Sequence, residues 1–365
     1  MKRPKVRYAV IGVGNIAQVA VLPAFRHAEE EAELVALVSG DPDKLETLGR
    51  RYGVAATGSY DELESVLARS RAEAVYLAVP NHQHRELTER SARAGCHVLC
   101  EKPMSVTEDD CLAMIRACDE KNVKLMIAYR LHFEAANLEA IETCRSGRLG
   151  ELCFFSSVFS QTVRPGDIRT RPELGGGAIF DLGVYCINAA RNLFAAEPIE
   201  ATAFIAKDET GVDETTTALL RFRGDRFAQL TVSDGGADVE SYRIVGTKGD
   251  LRLDPAYSYK QTLVHHLTLE DGKTRTRSFS RRDQFAPELR YFSRCITEDL
   301  EPEPDGREGL ADVRVVRAIQ ESAQTGRAVK LAPFEKMPRP TIAQAMRIPP
   351  IHPPRPLHAP SPTIR

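Results

Sequence analysis

The stretch Val6-Arg7-Tyr8-Ala9-Val10-Ile11-Gly12-Val13-Gly14-Asn15-Ile16-Ala17 decides the fold. Its first half is a short apolar β run. Its second half breaks that run with glycines and opens a segment, Asn15–His27, whose apolar residues recur at helical spacing. Working outward, the alternation repeats. Strand-like Leu34–Val38 precedes a helix over Pro42–Tyr52 with Asp41 as N-cap, and Asp61–Leu67 reads as a short helix. Strand Ala74–Val79 leads to helix His84–Ala94, ended by Gly95. Strand His97–Cys100 leads to helix Glu108–Lys121, capped by Thr107, and then to strand Lys124–Ala128. Strands that are apolar throughout are buried on both faces, so this order predicts a doubly wound parallel sheet with helices on both sides. The α/β unit spans residues 1–128.

Beyond Arg130 the pattern changes. Leu138–Ser146 reads as a helix, and Gly177–Phe194 as an apolar one. Strand-like segments dominate between and after them: Leu152–Gln161, Ile199–Ala206, Thr216–Phe222, Phe227–Ser233, Tyr242–Val245 and Leu251–Leu253. Tight turns such as Arg223-Gly224-Asp225 and Lys248-Gly249-Asp250 join several of these as in an antiparallel sheet. Two late helices, Pro287–Thr297 and Leu310–Thr325, are expected to return to the first domain. This α+β domain spans 129–331. Residues 332–365 form a third region that holds ten of the chain's 22 prolines, and five basic side chains face one acid there. Such a tail favours polyproline II over helix or sheet. It reads either as a disordered basic tail or as an arm over a neighbouring subunit, with Ile342, Met346, Ile348 and Ile351 as apolar contacts.

The whole chain has 365 residues, 42% hydrophobic and 27% charged, which is ordinary globular composition. Its 49 basic and 51 acidic side chains give a net charge of -2 and no electrostatic reason to expect nucleic acid or an anionic membrane as partner. The basic start is not followed by the apolar run of a signal peptide, and no segment approaches a membrane span. The eight cysteines are scattered without a CxxC pair or zinc spacing, as expected of reduced thiols in a cytoplasmic protein without a structural metal.

Gly12-Val13-Gly14-Asn15-Ile16-Ala17 is G-x-G-x-x-A, placed after a strand and opening a helix. That is the dinucleotide fingerprint: Gly12 for the tight turn, Gly14 for close approach of a pyrophosphate, and the N–H groups of Asn15 and Ile16 at a helix N-terminus. The second strand ends Val38-Ser39-Gly40 without a carboxylate at its tip. Ser39 and Lys44 suit a ribose 2′-phosphate, so the expected cofactor is NADP(H); Lys44 as an ordinary solvated helix residue is the other reading. Pro80-Asn81 suits a loop crossing the nicotinamide ribose, with His84 opening the next helix at its edge. Glu101-Lys102-Pro103 lies beyond another strand end, where ligands of open α/β sheets bind. Asp181 and Tyr185 are four apart on one helical face after Gly175-Gly176-Gly177. A structural aspartate and a packed tyrosine are the alternative for that pair.

Together these motifs resemble the glucose–fructose oxidoreductase / inositol dehydrogenase / rhizopine-catabolism (Gfo/Idh/MocA) family, over Val6 to about Leu331. Many members end the last motif in histidine; Tyr185 here resembles the glucose–fructose oxidoreductase branch instead. So do Leu37-Val38-Ser39-Gly40, Met126-Ile127-Ala128-Tyr129-Arg130 and Asp312-Val313-Arg314. The resemblance implies a Rossmann domain followed by a domain with a large open, mostly antiparallel sheet, often the subunit interface. It further implies an NADP(H) enzyme, with the cofactor exchanging or tightly held, acting on a sugar as aldose dehydrogenase, keto-sugar reductase or sugar–sugar oxidoreductase, and a homodimer or homotetramer. Tyr185 is then the expected acid/base. A free phenol titrates near 10, and a cation such as Lys102 would lower that. Asp181 would orient a hydroxyl or Lys102, and Arg130, His132, Asn137 and Arg169 would line the sugar site. A non-catalytic nucleotide-binding regulator and an NAD-dependent glycosidase are the competing readings.

Overall fold

The computed structural model describes residues 4–364. The chain divides into two compact units. Of the described residues, the first comprises 4–130, Arg282–Gly309 and Arg347–Pro362; the second comprises Leu131–Arg281, Leu310–Met346 and 363–364.

The first unit is built on a six-stranded sheet of order β3-β2-β1-β4-β5-β6. The strands are β1 (Val6–Ile11), β2 (Ala32–Val38), β3 (Ala56–Gly58), β4 (Ala74–Leu77), β5 (His97–Glu101) and β6 (Leu125–Ala128). Every pair is parallel. β1 and β4 are almost wholly buried, as continuous apolar strands between two helical layers must be. The intervening helices are α1 (residues 15–24), α2 (Pro42–Tyr52), α3 (Leu63–Ser70), α4 (His84–Arg93) and α5 (Glu108–Glu120). Asp41 caps α2 and Thr107 caps α5, each accepting from a backbone N–H three residues on. Of the late helices, α8 (Ala286–Thr297) joins this unit, with the Tyr8 hydroxyl 3.0 Å from Ser293 Oγ.

The second unit carries a nine-stranded sheet of order β14-β13-β12-β11-β7-β10-β9-β8-β15. Its strands are β7 (Leu152–Thr162), β8 (Glu200–Lys207), β9 (Asp213–Phe222), β10 (Arg226–Ser233), β11 (Gly235–Gly246), β12 (Gly249–Leu253), β13 (Leu263–Leu269), β14 (Thr274–Phe279) and β15 (Val329–Lys330). All neighbours are antiparallel except β7 and β10. Its helices are α6 (Ala135–Arg145), α7 (Val184–Phe194) and most of α9 (Gly306–Thr325), which from Leu310 onward belongs here rather than with the first unit. Along β7, β9, β10 and β11 one set of alternate side chains is buried, including Phe155, Leu220, Leu230 and Ile244. The other set carries Phe154, Leu219, Phe227 and Val239, all exposed.

The proline-rich region packs on its own chain. Arg339 is buried and reaches Glu197 at 2.7 Å and Asn192 Oδ1 at 3.2 Å, and Arg145 donates to Pro340 O. The eight cysteines are free, and all but Cys153 are buried. Among the described residues no helix is long and apolar enough to cross a membrane.

Candidate functional site

β1 ends at Ile11, and Gly12 turns the chain with φ +89°, a left-handed conformation that favours glycine. A Cβ at Gly12 would strike Ala78 O and the Val79 side chain, so the turn is closed to any larger residue. Gly14 is the opposite case: a Cβ there would meet nothing within 4 Å. The backbone therefore borders open space where the first turn of α1 begins, the cradle a pyrophosphate requires. Asn15 and Ile16 flank it, half-buried. The helix then widens into a π turn at Ala17–Val21. The Asn15 amide group donates to Ala359 O at 2.8 Å and Pro360 O at 3.1 Å, so this side chain grips the C-terminal segment.

At the tip of β2, Ser39 is buried, and its hydroxyl accepts from Asp41 N at 3.2 Å. The nearby carboxylate is already engaged. Asp41 accepts from Lys44 N at 3.1 Å, lies 3.7 Å from Lys44 Nζ and 3.3 Å from His358 Nδ1. The hydrogen bond from the Lys44 backbone leads the influences that hold Asp41 below the usual carboxylate range. The strand tip thus presents a serine and a lysine, with the Asp41 carboxylate turned to helix capping and Asp43 within 4.8 Å of it.

The loops after β4 and β5 are tied together by His84. The ring is fully buried, 3.1 Å from Val79 O through Nε2 and 3.0 Å from Pro103 O through Nδ1. Burial holds it below the ordinary histidine value. With both ring nitrogens against backbone carbonyls, His84 positions the two loops, a different role from the cofactor contact expected of it. Pro80 and Asn81 lie at the start of the short turn Asn81–Gln83, and Lys102 at the carboxyl end of β5, half-buried. Behind Lys102, the Tyr76 hydroxyl donates to Glu101 Oε1 at 2.8 Å and lies 3.5 Å from Glu288 Oε2. Burial raises both carboxyls, and the Glu101 charge raises Glu288 further; Lys102 first and then Arg130 pull Glu101 back. Arg130 is buried against Gln284 and these acids, so it serves this cluster and not a sugar. Glu288 escaped sequence reasoning, although its phase with Phe292 and Cys295 on the buried face of α8 was a usable signal.

In the second unit, the triple glycine Gly175-Gly176-Gly177 leads into a π turn, Ile179–Gly183, continuous with α7. Asp181 takes Arg169 Nε at 2.6 Å and Gln161 Nε2 at 3.1 Å, and Gln161 also donates to Asp234. Burial would lower Arg169, but Asp181 and Asp167 outweigh it and hold the guanidinium charged. Tyr185 is half-buried, its ring 5.8 Å from Phe159 and 6.0 Å from Tyr257. Asp181, Arg169 and Tyr185 therefore belong to neighbouring turns of one helical segment and the loop before it. His132 reaches the same helix α7, and Asn137 faces the sheet. His132 is buried 2.8 Å from Asn188 Oδ1, in a network that runs on to Asp312. Asn137 donates to Glu134 and Ala256 O and accepts from Tyr242, which uses its amide fully in holding α6 to the sheet.

Residues 6–129 match the model described as the oxidoreductase family, NAD-binding Rossmann fold (GFO_IDH_MocA). Residues 138–252 match the GFO/IDH/MocA C-terminal domain. A D-xylose 1-dehydrogenase (NADP(+)) from Haloferax volcanii is 33% identical over 330 residues, which is 89% of this chain and 99% of that protein. The crystal structure of an aldose-aldose oxidoreductase from Caulobacter crescentus, complexed with glycerol, superposes with TM-score 0.85 and 37% identity over 90% of this chain and all of that one. A 3-ketoreductase from Actinomadura kijaniata, in complex with NADP and TDP-benzene, gives TM-score 0.81 at 28% identity over 87% and 98% of the two chains.

Proposed function

The chain belongs to the GFO/IDH/MocA oxidoreductase family, and from that premise we propose that it is an NADP(H)-dependent sugar oxidoreductase in which Tyr185 exchanges the proton of the reacting hydroxyl. The observation that carries the reading is the pairing of a near full-length likeness to NADP-linked sugar enzymes with an open glycine cradle at Gly14. Interconversion of CH–OH and carbonyl groups of sugars is the chemistry that the names of these relatives describe, and it supports the reading.

Gly12, Gly14 and the first turn of α1 hold the pyrophosphate, Ser39 and Lys44 the 2′-phosphate, and Pro80 and Asn81 the nicotinamide ribose. NADP(H), when bound, supplies or accepts the hydride. The protein's own task is the proton. As the alcohol C–H bond breaks and the carbonyl forms, the hydroxyl proton passes to the Tyr185 oxygen, which takes it as the phenolate and becomes the phenol; in reduction the phenol gives that proton to the carbonyl oxygen. Lys102 hydrogen-bonds the reacting oxygen, held at its strand end by the Glu101–Tyr76–Glu288 cluster. Asp181, fixed by Arg169 and Gln161, orients a sugar hydroxyl. We propose further that the bare face of the nine-stranded sheet joins copies of the chain into a homo-oligomer.

A panel of aldoses and keto-sugars incubated with the purified protein and NADP(H), followed at 340 nm with product analysis, tests the activity. Product analysis covers a cofactor that shuttles between two sugars without leaving. The absence of any sugar product removes the reading. Tyr185→Phe is expected to lower kcat by about 100-fold or more, the usual worth of a positioned acid/base, with the Kd for NADPH nearly unchanged. A variant with near wild-type turnover refutes the role of Tyr185.

A further inference from the structure

The C-terminal segment carries a feature that the sugar chemistry does not use. Residues 347–362 fold with the first unit, without helix or strand through Pro360. They are anchored at one end by Asp283 N, which donates to Ile348 O at 3.1 Å, with Ile348 buried. At the other end the grip is on the glycine-loop helix. Leu357 N donates to Gln18 Oε1 at 2.7 Å, and Gln18 Nε2 returns a bond to Leu357 O at 2.9 Å while also holding Val13 O. Asn15 donates to Ala359 O and Pro360 O. Between these points His358, at φ +45°, turns its ring to Asp41 at the N-cap of α2.

Leu357–Pro360 thus spans from the start of α1 to the start of α2, the elements that frame the pyrophosphate and 2′-phosphate ends of the dinucleotide site. It does not plug that site, because the space beside Gly14 stays open with the segment in place. Its prolines restrict the unfolded chain, so ordering it costs less entropy than ordering an average loop. His358 and Lys44 both engage the Asp41 carboxylate, and Asp43 lies within 4.8 Å of the same group. The relatives match about nine-tenths of this chain while being covered almost end to end, so about a tenth of this chain lies outside the match.

We propose that Leu357–Pro360 is the outer wall of the dinucleotide site, a clasp that retains bound NADP(H), and that His358 favours the 2′-phosphorylated cofactor. The proposal rests on the NADP(H) reading of the glycine loop. It requires cofactor release to wait on release of the clasp.

The test is the dissociation rate of NADPH, read by stopped-flow fluorescence with excess NADP+ as competitor, beside equilibrium Kd values for NADPH and NADH. The proteins are the full chain, a chain ended at Met346, Leu357→Pro and His358→Ala. Leu357→Pro removes the donor to Gln18 together with the leucine side chain, keeps the rest of the segment, and decides the matter should the shortened chain not fold. Release is expected to accelerate about tenfold in Leu357→Pro, the worth of one hydrogen bond at the upper end of its usual range. It should accelerate further in the shortened chain. His358→Ala is expected to weaken NADPH by up to about fivefold with little change for NADH, as for a partly exposed polar contact. Unchanged release in Leu357→Pro overturns the clasp while the cofactor reading stands. Faster binding with unchanged release also overturns it, marking the segment as an obstruction. A full chain that binds neither dinucleotide removes the cofactor reading itself.

Discussion

At the scale of single residues, the sequence exposed the backbone requirements of the site better than its side-chain roles. Gly12 was legible because a left-handed turn leaves few alternatives to glycine, and Gly14 because its open space would be taken by a pyrophosphate rather than by a Cβ. Arg130, His132 and Asn137 were not, because polar residues near a strand end look alike whether they face a ligand or a buried partner. Only the fold shows that Asn137 spends its amide on Glu134, Ala256 and Tyr242. Ser39 shows what a single position can decide. It is buried at the β2 tip, where a carboxylate would face a 2′-phosphate directly. Ser39→Asp is therefore expected to weaken NADPH about 100-fold, the order of one close like-charge contact of roughly 3 kcal/mol, and to spare NADH. Titration of both nucleotides by quenching of protein fluorescence checks it; equal losses for the two would show that the serine reads no phosphate.

At the scale of elements, the parallel unit was nearly transparent, since each of its longer strands is an apolar run set off by a helix with a visible cap. The second sheet was less so. β14 reads Thr-Arg-Thr-Arg-Ser-Phe, an edge strand exposed until Phe279, and carries no apolar alternation to betray it. β13 alternates, but His265 and His266 interrupt its pattern. The π turns at Ala17–Val21 and Ile179–Gly183 were also invisible, because an extra residue per turn leaves the apolar spacing almost unchanged. Both occur at candidate site segments, a common place for such turns. His265 links β13 to α6, with Nε2 2.8 Å from Ala136 O and its ring against Phe279. Burial lowers its folded pKa to about 4, from an ordinary value of 6.5. The unfolded chain thus takes the proton first. The stability that His265 contributes is complete above about pH 6.5 and is lost as the pH falls towards about 4. Melting temperatures measured from pH 7.5 to 4.5 are expected to fall more steeply for the wild type than for His265→Gln, which cannot titrate. Parallel slopes would place the acid sensitivity elsewhere.

At the scale of the whole molecule, the composition pointed to a body and a tail, and the packing redistributes that tail. A basic, proline-rich segment reads locally as unstructured because it offers few backbone donors. Its order comes from distant groups such as Gln18 and Glu197, which no local pattern links to it. The bare sheet face poses the complementary problem, an ordered surface with nothing on it. Phe227 pairs in register with Phe154 on β7, and Leu219 sits opposite Gln229, one position on. With Phe204 and Val239 these side chains form an exposed apolar face crossed by polar ladders such as Thr217–Thr231. Patches of this kind on a stable sheet mark association surfaces, and two such faces can together bury the roughly 1,200–2,000 Å² typical of a specific interface. The chain is expected to run as a dimer or tetramer in light scattering after gel filtration. Phe227→Asp places a charge on this face near the start of β10, beside Phe154, while the buried side of β10 keeps Ala228, Leu230 and Val232. That variant is expected to shift towards monomer with its circular dichroism intact. If its mass equals that of the wild type, the sheet face is not where the copies meet.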